Sequence, residues 1–507
     1  MSGSAAATGA VDPTGRRAAA RAVLVLIVAA TLVRLAFAVV IGLGIDESYM
    51  VAAGRQAAWS YFDHPPLAWW LARGAAALAG SEAPIVVRLP FILLGAGTTW
   101  LIWRLGDTLF GPRAGFFAAL SLTLAPVFGV AAGSWVLPDG PLDFALAAFA
   151  LALAHALFGP PATATRWWLA AGVAGGLALL SKYSAVLIFA GLFVFLLSSA
   201  DGRRWFRRPA PYLAAVVGLL VFSPVIAWNA THDWASFGFQ GGRAAVAAFR
   251  PWMGLVVLLG GALFLLPWIF APLALATWRA ARAGPGDGRR WFLVCLGLGP
   301  VIAFALIATW SRGTPLFHWA APGYLLLLPL LGDLLEKAVA SGRRWVRPWA
   351  WGSAAIVVGG LAIVGSEVRG GAVSLLLPAV AAQRPALQAV DWTALGPALA
   401  ERGLLGRPGL VVGAAQWHVA GKVDYGLGGA MPVVCLCRDP RQYELIRPAA
   451  DYVGADAVLV LPAGSRRSAE ELFGGWFDSL TPLGPVRIGT AGTLELWMGE
   501  GLHLPAE

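Results

Sequence analysis

Apolar residues form long runs along most of this 507-residue chain, and short arginine-rich stretches separate the runs. Each run is close to the ~20 residues that an α-helix needs to cross ~30 Å of hydrocarbon. The pattern stops near residue 365, so we predict about eleven membrane spans before that point. The apolar runs lie at 22–43, 86–103, 114–132, 142–158, 168–180, 184–199, 211–228, 253–277, 291–310, 319–333 and 349–365.

The composition supports a membrane protein and argues against a nucleic-acid partner. Hydrophobic residues make up 58% of the chain and charged residues only 13%, which is far from the balance of soluble domains. The net charge of +10 comes largely from arginine clusters between the apolar runs, where membrane topology explains them better than a basic binding face. Residues 1–21 carry three arginines before the first run and are predicted to be a cytoplasmic tail.

The positive-inside rule predicts which loops share a side of the membrane. The arginine clusters lie on one side only if the stretch 168–199 turns back, and as one straight helix this stretch would be ~48 Å long. Lys182 lies at its middle, so two short helices hinged there are expected. The N-terminus is then cytoplasmic, and residues 367–507 lie outside. The predicted external loops are 44–85, 133–141, 181–183, 229–252 and 311–318.

The C-terminal segment 367–507 has a different pattern from the transmembrane domain predicted over 22–366. Short β-branched runs at 410–412 and 457–460 alternate with helix-like stretches at 393–402 and 469–477. This alternation predicts a small extracytoplasmic α/β domain.

The three cysteines give no disulfide framework. Cys435 and Cys437 are separated by one residue, which matches neither a zinc spacing nor a redox motif. We therefore expect structural roles for them and for Cys295.

The first external loop begins with Asp46 and Glu47 directly after the first apolar run, and Asp63 and His64 precede a Pro-Pro pair. The stretch 49–59 could lie as an interfacial helix, with its apolar side against lipid headgroups, and its ends would bring Asp46 towards His64. A helix N-cap or plain solvation would also explain the acidic pair, and a stiff turn would explain the prolines.

Other candidates lie in the remaining external loops. Asp139 occupies a Pro-Asp-Gly-Pro turn, and Lys182 is a cation between two apolar segments, where a partner is expected because an unpaired charge in a membrane is costly. Arg243 and His318 are further cations in the later loops. A bare turn, a snorkelling lysine and solvated surface charges are the alternative explanations.

Carboxylates and cations at one membrane face suit group transfer from a lipid-linked phosphate donor. A carboxylate can act as general base towards an acceptor hydroxyl. The cations can hold the phosphate and stabilise it as the leaving group.

Five motifs together resemble the polyprenyl-phosphate-sugar glycosyltransferases with the GT-C fold. The nearest branch contains the lipid A aminoarabinose transferases and the lipopolysaccharide galacturonosyltransferases, with the protein O-mannosyltransferases more distant. The resemblance covers about residues 20–330. The motifs are Asp46-Glu47, the Phe-Asp-His-Pro-Pro-Leu run at 62–67, Arg88-Leu89-Pro90, the Pro-Asp-Gly-Pro turn at 138–141 and the glycine-to-tyrosine stretch at 176–183.

The resemblance implies roles for several of the candidate residues. Asp46 would activate the acceptor, and Asp139 would be the acidic residue of the second external loop. Lys182 would lie near the donor phosphate, whereas the aminoarabinose branch has a lysine at the position of His64. The predicted set is Asp46, Asp139 and Glu47 in catalysis, His64, Lys182, Arg243 and His318 at the donor phosphate, and Tyr61 and Asp63 elsewhere in the first-loop site. Arg243 and His318 are included for their position in the later external loops and do not lie on the matching motifs.

The function implied is an inverting hexosyl- or pentosyltransferase of the bacterial inner membrane. It would move a sugar from a polyprenyl phosphate to a hydroxyl of a lipid, glycan or protein acceptor on the extracytoplasmic side, among membrane lipids. No cofactor is expected to be obligatory. A divalent cation could bind between the acidic loops and the phosphate, although the sequence has no dedicated metal-ligand cluster.

Two functions of other classes remain open at this stage. A transporter or flippase of a lipid-linked sugar would also need cations for phosphate, but such proteins usually have repeated halves with matching broken helices, and we find one hinge only. A non-catalytic relative could act as a membrane scaffold whose C-terminal domain recruits a partner.

Overall fold

The computed structural model describes residues 13–243, 248–311, 317–376 and 385–505. Helices dominate up to residue 376, and a mixed sheet with short helices follows. The helices of the first part are α1 Pro13–Val40, α2 Ile45–Ala53, α3 Leu67–Ala79, α4 Pro84–Phe110, α5 Pro112–Leu124, α6 Asp139–Phe158, α7 Ala164–Ser181, α8 Val186–Ser198, α9 Ala200–Arg203, α10 Ala210–Ala230, α11 Ala235–Arg243, α12 Trp252–Leu265, α13 Pro267–Ala283, α14 Gly288–Trp310, α15 Ala321–Ala340, α16 Val346–Gly370 and α17 Ala372–Leu376.

The polytopic helical architecture predicted from the apolar runs is confirmed. Within the described residues, six helices are long and apolar enough to cross a membrane, or up to eight if each of two bent helix pairs is one span. Helices also cover the remaining predicted runs, but α5, α7 and α15 do not meet that test on their own. The predicted count of about eleven spans is therefore not confirmed.

The apolar run 253–277 was predicted as one span, and the structure divides it between two helices, either as one broken span or as a re-entrant loop. The chain forms α12 and α13 instead, with a bend of 116° between them. Leu266 lies at the break with a φ of 76°, and Pro267 follows it. Proline has no N–H to donate and disfavours helical geometry in the residue before it, so a continuous helix is not favoured here.

The predicted helix break at Lys182 is present. Helix α7 ends at Ser181, Lys182 is extended with φ −158° and ψ 134°, and α8 begins at Val186. From this break the lysine side chain reaches Asp139 at the start of α6. A single residue in a long apolar stretch thus becomes available to a polar neighbour.

Two sets of polar side chains lie at opposite ends of the helix bundle. Helix α4 has Arg88 near its start and Asp107 near its end, ~28 Å away along the axis. Asp107 forms an ion pair with Arg16 at the start of α1, whereas Arg88 reaches Glu47 beyond the end of α1. The acidic first loop and the N-terminal arginines are therefore at different faces of the bundle.

The C-terminal domain has the α/β structure predicted for it. Its five strands are ordered β2-β1-β3-β5-β4, with β1 parallel to β2 and β3, and with β5 antiparallel to β3 and β4. The strands are β1 Leu410–Ala414, β2 Val433–Cys435, β3 Asp456–Pro462, β4 Ser479–Ile488 and β5 Gly492–Glu500. Its described helices are α18 Pro385–Ala389, α19 Leu395–Glu401, α20 Trp417–Gly426, α21 Tyr443–Ile446 and α22 Ala469–Phe473.

The cysteine spacing led us to expect no disulfide, and this prediction was wrong. Cys435 and Cys437 are bonded to each other, and Cys295 is free and buried. Strand β2 ends at Cys435, so the chain leaves the extended geometry there and Cys437 can turn back towards its neighbour.

The first loop packs against the C-terminal domain. Residues 49–59 had instead been predicted to form an interfacial helix against lipid headgroups. Helix α2 ends at Ala53, and its buried side chains share one hydrophobic core with strands β1, β2 and β3. Helix α20 approaches it so closely that a Cβ on Gly421 would lie 2.6 Å from Cα of Tyr49. Arg55, two residues after the end of α2, pairs with Asp424 of α20 at 2.8 Å. The C-terminal domain is thus built onto the loop that carries the acidic motif.

Candidate active site

Glu47 forms a buried, fully bonded ion pair with Arg88. The guanidinium donates to both carboxylate oxygens at 2.8 and 2.6 Å, and main-chain N–H groups of Gly44 and Val136 donate to them at 2.8 and 3.0 Å. Burial alone would raise the pKa of Glu47, but Arg88 and these hydrogen bonds outweigh it and hold the pKa low. Glu47 therefore joins α2, α4 and the segment before α6, and its oxygens are occupied.

Asp46, in the first turn of α2, has a different environment from its neighbour. It makes no hydrogen bond with the described residues, and its side chain is accessible to solvent through a crevice. Protein nevertheless surrounds the carboxylate on most sides, and this burial raises the pKa of Asp46 by more than Arg441 and His64 lower it. An accessible carboxylate with a raised pKa has the properties of a general base.

Asp63 lies at the centre of a buried hydrogen-bond network. Its carboxylate accepts from Oη of Tyr49 at 3.1 Å and from Nη1 of Arg441 at 3.3 Å, and Nδ1 of His64 lies 3.2 Å away. Burial would raise the pKa of Asp63, but His64 and Arg441 outweigh it and lower the pKa. Asp63 is therefore an anchor for charged neighbours and holds the His64 ring in place.

Arg441 of the C-terminal domain was not predicted from the sequence, yet it lies in this network. Its guanidinium carbon is 3.6 Å from the ring centroid of Trp417, and its charge acts on both Asp46 and Asp63. Its backbone is left-handed, with a φ of 53°, which is uncommon for a residue other than glycine. Next to it, the N–H of Gln442 donates to Oη of Tyr49 at 3.0 Å. These residues lie outside the resembling region, so no motif could have indicated them.

Asp139 and Lys182 form the second pair that the sequence singled out. Nζ of Lys182 donates to Oδ1 of Asp139 at 2.9 Å, from the extended residue between α7 and α8 to the first residue of α6. His64 and His318 both interact electrostatically with Asp139. The structure thus brings together three of the four cations predicted to bind phosphate.

A cavity of about 370 Å³ lies against this pair and is called the Lys182 cavity. His64, Lys182 and Tyr183 supply its polar side. Apolar side chains supply the rest, among them Val186, Leu187, Phe304, Ile307 and Trp319. A polar end with a lysine and a histidine, and an apolar remainder, match a ligand that has a phosphate and a hydrocarbon chain.

Asp46 lines a separate crevice of about 390 Å³, called the Asp46 crevice. Its lining also includes Phe37 of α1, Leu361 and Val364 of α16, and the paired residues Glu47 and Arg88. The two cavities have no lining residue in common. Asp46 and His64 interact electrostatically, so the cavities approach each other at the first loop.

The remaining predicted residues have more limited support. Tyr61 is buried and stacks on Trp69 at 4.2 Å between ring centroids, a packing role. Arg243 ends α11, the helix that lines the Lys182 cavity with Phe237 and Gln240, but its side chain is outside the described residues. Within the described residues, no group of three or more His, Cys, Asp or Glu side chains could hold a metal ion. A role for a divalent cation therefore stays a prediction.

Known proteins resemble this chain in both sequence and fold. Residues 63–228, which include His64, Asp139 and Lys182, match the family model of dolichyl-phosphate-mannose-protein mannosyltransferases. The matched stretch is about a third of the chain. The lipid A galacturonosyltransferase RgtD of Rhizobium johnstonii is 26% identical over 295 residues, 55% of this chain and 58% of that protein. The match thus spans little more than half of that relative.

Solved structures extend the likeness in fold to nearly the whole chain. ArnT from Cupriavidus metallidurans, crystallised with undecaprenyl phosphate, has a TM-score of 0.66 at 17% identity, covering 94% of this chain and 97% of ArnT. The oligosaccharyltransferase AglB from Archaeoglobus fulgidus, in complex with an inhibitory peptide and a dolichol-phosphate, has a TM-score of 0.50 at 13% identity, covering 86% of this chain and 69% of AglB. At these identities the likeness is one of fold.

Proposed function

We propose that this chain is an inverting glycosyltransferase that moves a sugar from a polyprenyl phosphate to an acceptor hydroxyl. The observation that carries the proposal is the position of Asp46. Its carboxylate is accessible and without a hydrogen-bond partner among the described residues, while Glu47, Asp63 and Asp139 are all bonded. It is the first-loop carboxylate best able to accept a proton.

The donor is expected to occupy the Lys182 cavity. Lys182 and His64 would hold its phosphate, and the apolar wall towards Phe304 and Ile307 would hold its prenyl chain. RgtD is a lipid A galacturonosyltransferase and ArnT was crystallised with undecaprenyl phosphate, which supports a lipid-linked phosphate as donor.

The acceptor is expected to approach from the Asp46 crevice, on the other side of the first loop. In the transfer step, the acceptor oxygen forms a bond to the anomeric carbon and its proton passes to Asp46. The bond between the anomeric carbon and the phosphate oxygen breaks, and polyprenyl phosphate leaves with the electron pair. Lys182 and His64 would stabilise the charge on the leaving phosphate. Attack from the side opposite the phosphate inverts the configuration.

The site is proposed to face the extracytoplasmic side of a bacterial inner membrane, with a cytoplasmic N-terminus. The arginine-rich connectors support this orientation by the positive-inside rule. The Cys435–Cys437 disulfide supports it independently, because disulfides persist in oxidising compartments.

Sugar transfer by the purified protein in detergent tests the proposal, with radiolabelled polyprenyl phosphate-sugars as donors and membrane lipid extract as acceptor. We expect Asp46→Asn to lower the transfer rate by ~10²–10⁴-fold, because the amide keeps the shape and cannot take the proton. Binding of undecaprenyl phosphate should be unchanged, since Asp46 does not line the Lys182 cavity.

Two controls separate lost chemistry from lost structure. Asp451→Asn removes an exposed carboxylate of the C-terminal domain and should leave transfer unchanged. At pH 7 Asp46→Asn should unfold at the same temperature as the wild type or higher: the raised pKa of Asp46 means that its ionised form costs stability above that pKa. Full activity of Asp46→Asn would exclude Asp46 as the base. No transfer from any donor by the wild type would contradict the proposed function itself.

A further inference from the structure

A third cavity, of about 530 Å³, lies at the edge of the C-terminal sheet and is called the sheet crevice. Ile45 and Gln388 line both the sheet crevice and the Asp46 crevice, so the two adjoin beside the proposed base. The polar side chains that line the sheet crevice include Gln416, His418, Lys422, Ser465, Arg466 and Arg467.

The topology of the sheet explains why a cavity forms at this edge. Strand β1 leads through α20 to β2 on one side, and β3 leads through α22 towards β4 on the other. The chain therefore leaves the carboxyl ends of the parallel strands β1 and β3 in opposite directions and opens a crevice between them. Open α/β sheets bind ligands at such a switch point.

The charged side chains that line the sheet crevice are all basic, which favours a bound anion. Arg466, Arg467 and Lys422 line the crevice, and none of its lining residues is Asp or Glu. Nζ of Lys422 is anchored to main-chain oxygens of Leu43 and Val390. Arg466 and Arg467 are exposed and form no ion pair with the residues that the structure describes. Two exposed guanidinium groups are therefore available to a phosphate or carboxylate.

Main-chain donors add to this charge. The ten-residue helix α20 begins in the crevice, and its N-cap residue Gln416 makes no capping hydrogen bond with its side chain. The N–H groups of the first turn of a helix lack internal partners and favour an anion in front of them.

We propose that the sheet crevice binds a phosphate group of the acceptor and thereby holds the acceptor hydroxyl at Asp46. This inference rests on the proposed function and adds the class of acceptor: an amphiphile with a phosphorylated head group. The apolar walls of the Asp46 crevice, with Phe37, Leu361 and Val364, take its hydrocarbon part. The head group reaches past Ile45 to the C-terminal domain.

Equilibrium binding to the full-length protein in lipid nanodiscs tests the inference without requiring transfer. The probes are lipid A, lipid A from which phosphate has been removed, and undecaprenyl phosphate. We expect the double variant Arg466→Ala, Arg467→Ala to bind lipid A about tenfold or more weakly, since two charged hydrogen-bond donors are lost. Its affinity for undecaprenyl phosphate should equal that of the wild type.

The matched control is the double variant Arg407→Ala, Arg487→Ala. Both residues are exposed in the same domain, and Arg407 precedes β1, at the opposite edge of the parallel strands. The control should bind lipid A as the wild type does, and dephosphorylated lipid A should bind all three proteins equally weakly.

Two outcomes would overturn the inference. An equal loss of lipid A affinity in both double variants would show that only the net charge of the domain matters. Displacement of lipid A by inorganic phosphate at the same concentration would instead assign the crevice to free phosphate and also overturn it. Neither result would affect the Asp46 test, because that test follows sugar transfer.

Discussion

Two carboxylate–cation pairs near the first loop look alike in the sequence and differ in their surroundings. Glu47 and Arg88 are 4% and 1% exposed, and main-chain partners complete their hydrogen bonding. Asp139 and Lys182 are 14% and 16% exposed, and Lys182 lines a cavity with a long apolar wall.

This difference in exposure distinguishes a pair that stabilises the fold from a pair whose lysine can bind a ligand in place of its carboxylate. Glu47 and Arg88 border the Asp46 crevice, but their side chains are almost fully buried and their hydrogen bonds are taken by each other and by the main chain. Lys182 faces a cavity, and a phosphate entering it could share or replace the bond to Asp139. Ionic pairing beside a cavity therefore does not by itself identify a functional residue; the pair must also be exposed to the cavity, as Asp139 and Lys182 are and Glu47 and Arg88 are not.

The largest effect is expected when the closed pair is broken. Arg88→Met should lower the free energy of unfolding by ~3–5 kcal/mol, because it leaves the Glu47 carboxylate buried and without its cation. Thermal unfolding of the purified protein measures this. The pKa of Glu47 is lowered in the folded state, so its contribution is complete above the ordinary glutamate pKa of ~4.3 and is lost as the pH falls through the lowered value.

The double variant Glu47→Gln, Arg88→Met is the control for this prediction. It removes the stranded charge and should recover part of the stability. A single Arg88→Met variant as stable as the wild type would contradict the structural role of the pair.

Breaking the open pair should affect donor binding more than stability. We expect Lys182→Met to weaken undecaprenyl phosphate binding ~10–100-fold, the value of a hydrogen bond to a charged group. Its unfolding temperature should fall less than that of Arg88→Met, because Asp139 can be hydrated through the cavity. Lys182→Arg keeps the charge and should retain most of the binding. Unchanged binding in Lys182→Met would remove Lys182 from the donor site.

The smallest effect is expected for Arg441, a cation that belongs to neither pair. Arg441 lowers the pKa of Asp46, so Arg441→Met should raise that pKa further. Because the base must be ionised, the acidic limb of the pH–rate profile for transfer should move to higher pH, with a several-fold lower rate at neutral pH. Arg438→Met, an exposed residue three positions earlier, should leave the profile unchanged. A lower transfer rate with no shift of the acidic limb would mean that Arg441 acts only through packing.

Much of the fold could be predicted because membrane helices and strands have local signatures. The apolar runs place a helix at every predicted span, and Lys182 marks the break between α7 and α8. The bend within the run 253–277 was not predicted because hydrophobicity does not report one, even though Pro267 stands at the break. The Cys435–Cys437 bond was missed because spacing rules describe frameworks of several bridges and not one short loop.

The candidate site could be predicted only in part. The motifs indicated Asp46, His64, Asp139 and Lys182, and the structure places them around the first loop. The resemblance favoured Asp46 as the base, but the acidic pair itself gives no physical reason for that choice, since adjacent acidic residues have the same local pattern. Arg441 lies nearly 400 residues along the chain from Asp46, in a domain with no recognised motif, so only packing could bring it there.

The sequence by itself determined that this chain is a polytopic membrane protein with an acidic first loop and a small α/β domain. Hydrophobic run length and strand alternation are local properties, and lipid and water select on them directly. Only the tertiary structure decided which carboxylate stays unpaired and which cation faces a cavity. The close approach of α2 and α20 likewise set the C-terminal domain beside the proposed base. Burial, hydrogen-bond saturation and pKa depend on neighbours distant in sequence, and these exist only once the chain has folded.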